Sequence, residues 1–165
     1  MTGLRAVRDQ DALLLAGWSA DVQSEFDDFT GPPPAGVVDG PRTRPEGYGE
    51  LVVTDDSGAA LGSVSWHRVT HGPGAGSAAL NLGISLRPEA RGQGHGSRAQ
   101  RQLADFLFRT TAVHRLEAST DMTNLAEQKA LSRAGFSREG VLRGAQWRRG
   151  AWHDLVVFSR LRTDA

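Results

Sequence analysis

The sequence predicts an α/β fold: one domain whose mixed sheet of about seven strands carries helices on both faces. Three observations predict it. Strand-like and helix-like segments follow one another as strand, helices, three strands, helix, strand, helix and two strands. A glycine-rich run joins a strand to a helix at residues 91–96. A length of 165 residues suits one domain with a sizeable core, whereas two would each be cramped.

Each element has its own warrant. Residues 4–8 read as a short strand, and Asp9 stands where it would cap an apolar helical run over 12–18. The acidic stretch 21–28 reads as a second helix ending near Phe29. Residues 30–47 hold most of the prolines and form a loop, long enough to serve as a substrate-side flap. Strands 49–54 and 60–69 flank Asp55-Asp56-Ser57-Gly58, good turn chemistry, and so form a hairpin. A glycine-rich bend over 71–77 leads into a third long strand, 79–86. Over 97–109, Ala99, Leu103, Phe106 and Leu107 recur at i, i+4, i+7 and i+8, the period of one helical face. Residues 113–120 read as a strand and 125–134 as a helix, which Gly135-Phe136 closes as a glycine stop followed by an apolar residue. Strands around 141–147 and 155–161 finish the chain, and no internal repeat is visible.

Composition narrows the function. The formal net charge is zero, which gives no reason to expect nucleic acid or an acidic membrane surface as partner. No stretch approaches the roughly 18 apolar residues of a membrane span, and acids stand in the first residues where a signal peptide carries its apolar core. There is no cysteine, which excludes disulfides, thiolate zinc sites and a cysteine nucleophile. A cytoplasmic protein without a metal fits this composition.

The informative segment runs from Leu80 through Pro88 to Arg91-Gly92-Gln93-Gly94-His95-Gly96-Ser97. Pro88 stops a strand's hydrogen-bond ladder, and a helix begins directly after the glycines. Three glycines at alternate positions let the backbone curl until successive N–H groups face inward, and the helix start adds its own free N–H groups and positive dipole end. The product is a cradle for a pyrophosphate. Its spacing, G-x-G-x-G, fails the dinucleotide fingerprint G-x-G-x-x-G, and the absence of Gly-Lys-Ser/Thr fails the P-loop.

Arg-x-x-Gly-x-Gly after a strand resembles the acetyl-CoA signature of GNAT enzymes. The C-terminal half resembles the branch related to ribosomal-protein N-acetyltransferases. It does so at His114-Arg115-Leu116-Glu117-Ala118, Asn124, Ala134-Gly135-Phe136, Glu139-Gly140-Val141-Leu142-Arg143, Gly150 and Asp154. The likeness is close over about residues 80–162 and extends to the N-terminal half only in element order. It implies a mostly antiparallel sheet with one splayed parallel pair, strands 79–86 and 113–120, and acetyl-CoA as co-substrate in the gap. By the same resemblance Ile84 and Leu86 pair with the pantetheine through their backbones, amides of Arg91, Gly92, Gln93, Gly94, His95, Gly96 and Ser97 hold the pyrophosphate, and Asn124 lines the exit side. The implied activity is direct acetyl transfer to a primary amine in a ternary complex. The acceptor is a small-molecule amine or, alternatively, a protein N-terminus, and a non-catalytic acyl-CoA sensor is a third reading. A homodimer is left open.

Acetyl transfer needs a neutral amine, stabilisation of the carbonyl oxygen as it gains charge, and a proton for the leaving thiolate. The resemblance assigns the oxyanion to the backbone N–H of Leu86. Glu117 is the first candidate base, with a carboxylate bracing an arginine or the next helix as the equal alternative. Asn81 stands where related enzymes often carry an acid, and an amide cannot take a proton. The family's acid, a tyrosine four residues before Gly-Phe, is here Leu131, and the one tyrosine is Tyr48. A related subgroup's serine, three residues after the asparagine, is here Glu127. Ser132 is a candidate donor, beside water or the outgoing ammonium itself. Asn124-x-x-Glu127 also reads as a capping box, the asparagine satisfying a helix N–H and Glu127 returning the bond. His67 and His71 flank the glycine-rich bend, within reach of a substrate or simply solvated. Asp21, Glu25, Asp27 and Asp28 would draw in a cationic acceptor, or form a wet helix face. Arg143, Arg148 and Arg149 make a basic patch, either solvated or facing a phosphate, while Trp147 and Trp152 pack along the sheet or wall a pocket.

Overall fold

A computed structural model describes residues 1–11, 15, 26 and 47–164. The expected helices over 12–18 and 21–28, the proline-rich loop, and Asp21, Glu25, Asp27 and Asp28 lie outside the described residues, apart from Leu15, Phe26 and Gly47. Seven strands make one sheet: β1 (Gly3–Ala6), β2 (Gly49–Thr54), β3 (Ala60–Thr70), β4 (Ala78–Leu86), β5 (Arg115–Asp121), β6 (Ser137–Arg148) and β7 (Ala151–Leu161). Their order across the sheet is β1-β2-β3-β4-β5-β7-β6. Every pairing is antiparallel except β4 with β5. Two described helices, α1 (His95–Thr110) and α2 (Leu125–Arg133), supply the crossovers on either side of β5.

The local signals explain most boundaries. The Asp55 carboxylate accepts from the amides of Ser57 and Ala59 at 2.8 and 3.0 Å, and Gly58 takes φ +84°, so the hairpin closes as its turn residues require. Helix α2 ends on Gly135 at φ +92°, where the Phe136 amide reaches the Leu131 carbonyl and that of Gly135 reaches Ser132. Near the N-terminus the anchoring acid is Asp11 rather than Asp9. Its carboxylate takes the Arg8 amide at 2.8 Å and a forked bond from Arg5, closing a single 3-10 turn at Asp9–Asp11.

Alternation along the strands divides the sheet's two faces. Leu82 of β4, Leu116 and Ala118 of β5 and Val64 of β3 pack with Ala99, Leu103, Ala104 and Leu107 of α1, and with Leu131 of α2, in the core. The predicted face of α1 is therefore the buried one. The other face carries a cross-strand row in register, His67, Asn81, Glu117, Ser159 and Ser137, polar from end to end. Gln100, 2% exposed, breaks the apolar pattern of the buried face of α1.

Candidate active site

Strands β4 and β5 pair only from Leu80 opposite Leu116 to Leu82 opposite Ala118. Beyond those three positions they diverge. The amide of Arg87 donates to the Leu61 carbonyl of β3 at 2.9 Å. Because N–H groups alternate sides along a strand, those of Leu86 and Ile84 point away from β3 and into the gap that β5 has left. Leu86 keeps its carbonyl engaged by Arg91 Nε at 2.9 Å, which ties the strand's end to the glycine loop.

That loop turns through Gly92 at φ +73° and Gly94 at φ +78°, a left-handed region that any Cβ would strain. Gly94 is the N-cap of α1, and no side chain caps the helix. The amides of its first turn have no intrahelical acceptor and stand beside the gap. The result is a cleft of about 710 Å³ lined by β4, β5, the glycine loop and α2. A chain of amides running from the strand gap to a helix N-terminus fits the pantetheine and pyrophosphate of coenzyme A.

Eight of the ten residues expected at the cofactor line this cleft: Ile84, Leu86, Arg91, Gly92, Gly94, Gly96, Ser97 and Asn124. The other two have side chains engaged elsewhere, whereas their expected contact is through the backbone amide. Gln93 donates to the Glu89 carbonyl, and the His95 ring meets the Thr2 hydroxyl at 2.9 Å. Asn124 caps α2 through its side-chain oxygen, which accepts from the Glu127 amide at 3.2 Å. The capping box is only half formed. Instead of returning a bond to Asn124, the Glu127 carboxyl accepts from Gln100 Nε2 at 2.5 Å. Burial between the two helices pushes the Glu127 carboxyl up to about 7, against the smaller opposing effect of Gln100.

The catalytic and acceptor candidates separate. Glu117 is 7% exposed but is absent from the cleft lining, since it stands in the middle of the closed part of the β4–β5 pair. There it takes hydrogen bonds from Arg115 Nε at 2.6 Å and from the His71 ring at 2.5 Å. His67, on the same face opposite Asn81, is also outside the cleft. Ser132 is exposed, and its hydroxyl donates to the Gln128 carbonyl one turn back, so it does not reach the cleft. Arg148 is not part of a solvated patch: it is 2% exposed and paired with Asp121, which lines the cleft. Arg143 and Arg149 are exposed as expected. Trp147 and Trp152 meet edge-on at 5.2 Å across the β6–β7 hairpin.

The polar face has its own electrostatic clamp. Arg115 forks onto Glu139, which also accepts from the Ser159 hydroxyl, and these partners hold the Glu139 carboxyl down at about 2. A depressed folded value stabilises the fold above the ordinary carboxylate range near 4.5, and that contribution fades as pH falls toward 2. Arg115→Met is therefore expected to raise the midpoint of acid unfolding by about one pH unit, followed by circular dichroism. An unchanged midpoint would assign Arg115 no such role.

The chain belongs to the GNAT acetyltransferase family: residues 2–137 match the model described as an acetyltransferase (GNAT) domain. The probable N-acetyltransferase YjcK of Bacillus subtilis (strain 168) is 31% identical over 71% of this chain and 62% of its own length. The uncharacterized N-acetyltransferase p20 of Bacillus licheniformis is 30% identical over 50% of this chain and 47% of its own. The chain thus spans about three-fifths and one-half of these two relatives. Among solved structures, ribosomal-protein-S5-alanine acetyltransferase from Vibrio fischeri superposes with a TM-score of 0.75, covering 99% of this chain and 94% of that one at 22% identity. Spermidine N-acetyltransferase from Vibrio cholerae, in complex with CoA and spermine, gives 0.77 over 99% and 96% at 16% identity. These likenesses establish the seven-stranded fold with its one parallel pair. Among the described residues no group of metal-ligating side chains comes together, and no helix is long and apolar enough to cross a membrane.

Proposed function

We propose that this chain transfers the acetyl group of acetyl-CoA directly to a primary amine of a small molecule, within a ternary complex. The observation that carries this reading is the row of inward amides at Ile84, Leu86 and the first turn of α1, set where β4 and β5 part. Ile84 and Leu86 would hold the pantetheine, and the loop from Arg91 to Ser97 the pyrophosphate. The acetyl thioester of the bound co-substrate supplies the acyl group. The Leu86 N–H is the oxyanion donor of this reading, fixed in place by the Arg87–Leu61 bond and by Arg91 on the Leu86 carbonyl.

Asp121 gives the cleft a carboxylate, and burial, which alone would raise it, is outweighed by the Thr123 hydroxyl and amide and by Arg148, so it stays ionised below the usual range. The near-complete superposition on a polyamine acetyltransferase supports a small amine. The likeness to ribosomal-protein acetyltransferases supports the second reading, a protein N-terminus.

Thiol release from acetyl-CoA, followed with polyamines, alkylamines and peptides bearing free N-termini, decides between them. Release with polyamines but not peptides is the expected result; the reverse pattern makes the acceptor a protein. Tight CoA binding with no thiol released by any amine would leave a sensor. Gly94→Val forces a β-branched residue into the left-handed region at the helix start and is expected to weaken CoA binding about tenfold or more by calorimetry. Unaltered binding would place the diphosphate elsewhere.

A further inference from the structure

The Glu127–Gln100 pair joins the two helices at the cleft wall. Gln100 is 2% exposed, its Nε2 donates to Glu127, and its Oε1 has no hydrogen-bond partner among the described residues. A buried amide oxygen left so is costly, and a hydrogen-bond donor beside it would relieve that cost. An ionised carboxylate carries no hydrogen and cannot relieve it. A protonated carboxyl can, by a small rotation of either group that turns its O–H toward the amide oxygen. The environment agrees. Glu127 shares the cleft lining with Ser97 from α1, Lys129 and Arg133 from its own helix, Asp121 from β5 and Arg91 from the glycine loop. None of the cations forms an ion pair with it among the described residues. The start of α2 favours the anion, but burial outweighs it, so the carboxyl titrates near neutrality.

We propose that Glu127, set in the cleft wall with its carboxyl against Gln100, is the proton donor to the leaving sulfur of the acetyl-transfer reaction. This rests on the transferase reading above. In the step, the amine nitrogen bonds to the acetyl carbon and the carbon–sulfur bond breaks, its electron pair staying on sulfur. Glu127 gives its proton to that sulfur. The proton lost by the new amide nitrogen passes through solvent and restores the Glu127 carboxyl, so charge and protons balance over one turnover. Leu131, where the family's tyrosine would stand, and Ser132, turned to solvent, offer no acid, whereas Glu127 lines the cleft.

Two measurements test this. Carbon-13 spectra of the ligand-free protein, labelled at glutamate carboxyls, should show one resonance titrating near pH 7 that Glu127→Gln removes. A Glu127 resonance titrating in the ordinary range near 4–5 overturns the proposal whatever the activity. Glu127→Gln and Glu127→Ala should then bind acetyl-CoA within about threefold of the parent. They should lose about 100-fold in kcat, together with the fall of kcat above neutral pH that the parent shows as its acid ionises. Retained kcat in both variants, with an active parent, overturns the proposal while leaving the transferase reading intact. A parent inactive toward every amine overturns both.

Discussion

Asp121→Ala is expected to destabilise the protein by about 3–5 kcal/mol, the cost of breaking a buried ion pair from one side. Asp121 and Arg148 are 5% and 2% exposed, and the guanidinium bonds the carboxylate directly. His153 Nδ1 stands 3.3 Å from the same carboxylate, and the Arg148 guanidinium lies over the Phe26 ring at 5.4 Å. Removing Asp121 takes away the carboxylate on which the Arg148 guanidinium and the His153 ring converge. It also frees the amide and hydroxyl of Thr123, which the carboxylate holds at 2.7 and 2.6 Å where β5 turns toward α2. Chemical denaturation should show a lower midpoint with little change in slope. The paired replacement Asp121→Leu with Arg148→Met should recover much of the loss, because an apolar pair needs no charge compensation. A single variant within 1 kcal/mol of the parent would contradict a buried, mutually dependent pair.

Gly62→Ala is expected to cost about 3 kcal/mol and to weaken coenzyme A binding about tenfold. A Cβ at Gly62 would lie 2.1 Å from the Ser85 carbonyl oxygen and 2.8 Å from Leu86 Cα. Both contacts are with backbone, which no rotamer change can relieve, so the end of β4 must move away from β3. Gly62 stands opposite Leu86 in register, so the displaced residue is the one whose amide faces the cleft. Stability and cofactor affinity should therefore fall together. Gly140→Ala, whose Cβ would meet nothing within 4 Å, is the control and should leave both unchanged. Affinity preserved in a destabilised Gly62→Ala protein would separate the β4 terminus from the cofactor.

Several features of the site were legible in the chain because they are local. The glycines at 92 and 94 specify a left-handed turn wherever they stand, Gly135 specifies a helix stop, and Asp55 through Gly58 specify a hairpin. Side chains assigned by their place on a strand fared differently. Glu117 and His67 sit on correctly placed strands, yet neither lines the cleft, since the point where β4 and β5 part decides which residues face the gap. Arg148 read as part of a basic patch, because its partner Asp121 is 27 residues away and on another strand. Gln100 carried no signal at all beyond interrupting an apolar face.

The amino-acid order alone thus determined the element succession, the family signature and the amide cradle, all products of backbone preferences within a few consecutive residues. Only the tertiary structure decided which carboxylates are charged, paired or protonated. Asp121 is pinned by Arg148 from β6, Glu139 by Arg115 from β5, and Glu127 by Gln100 from the other helix. A carboxyl's protonation depends on desolvation and on the nearest donors, and both are set by segments far apart in the chain that meet only when the sheet and helices have closed.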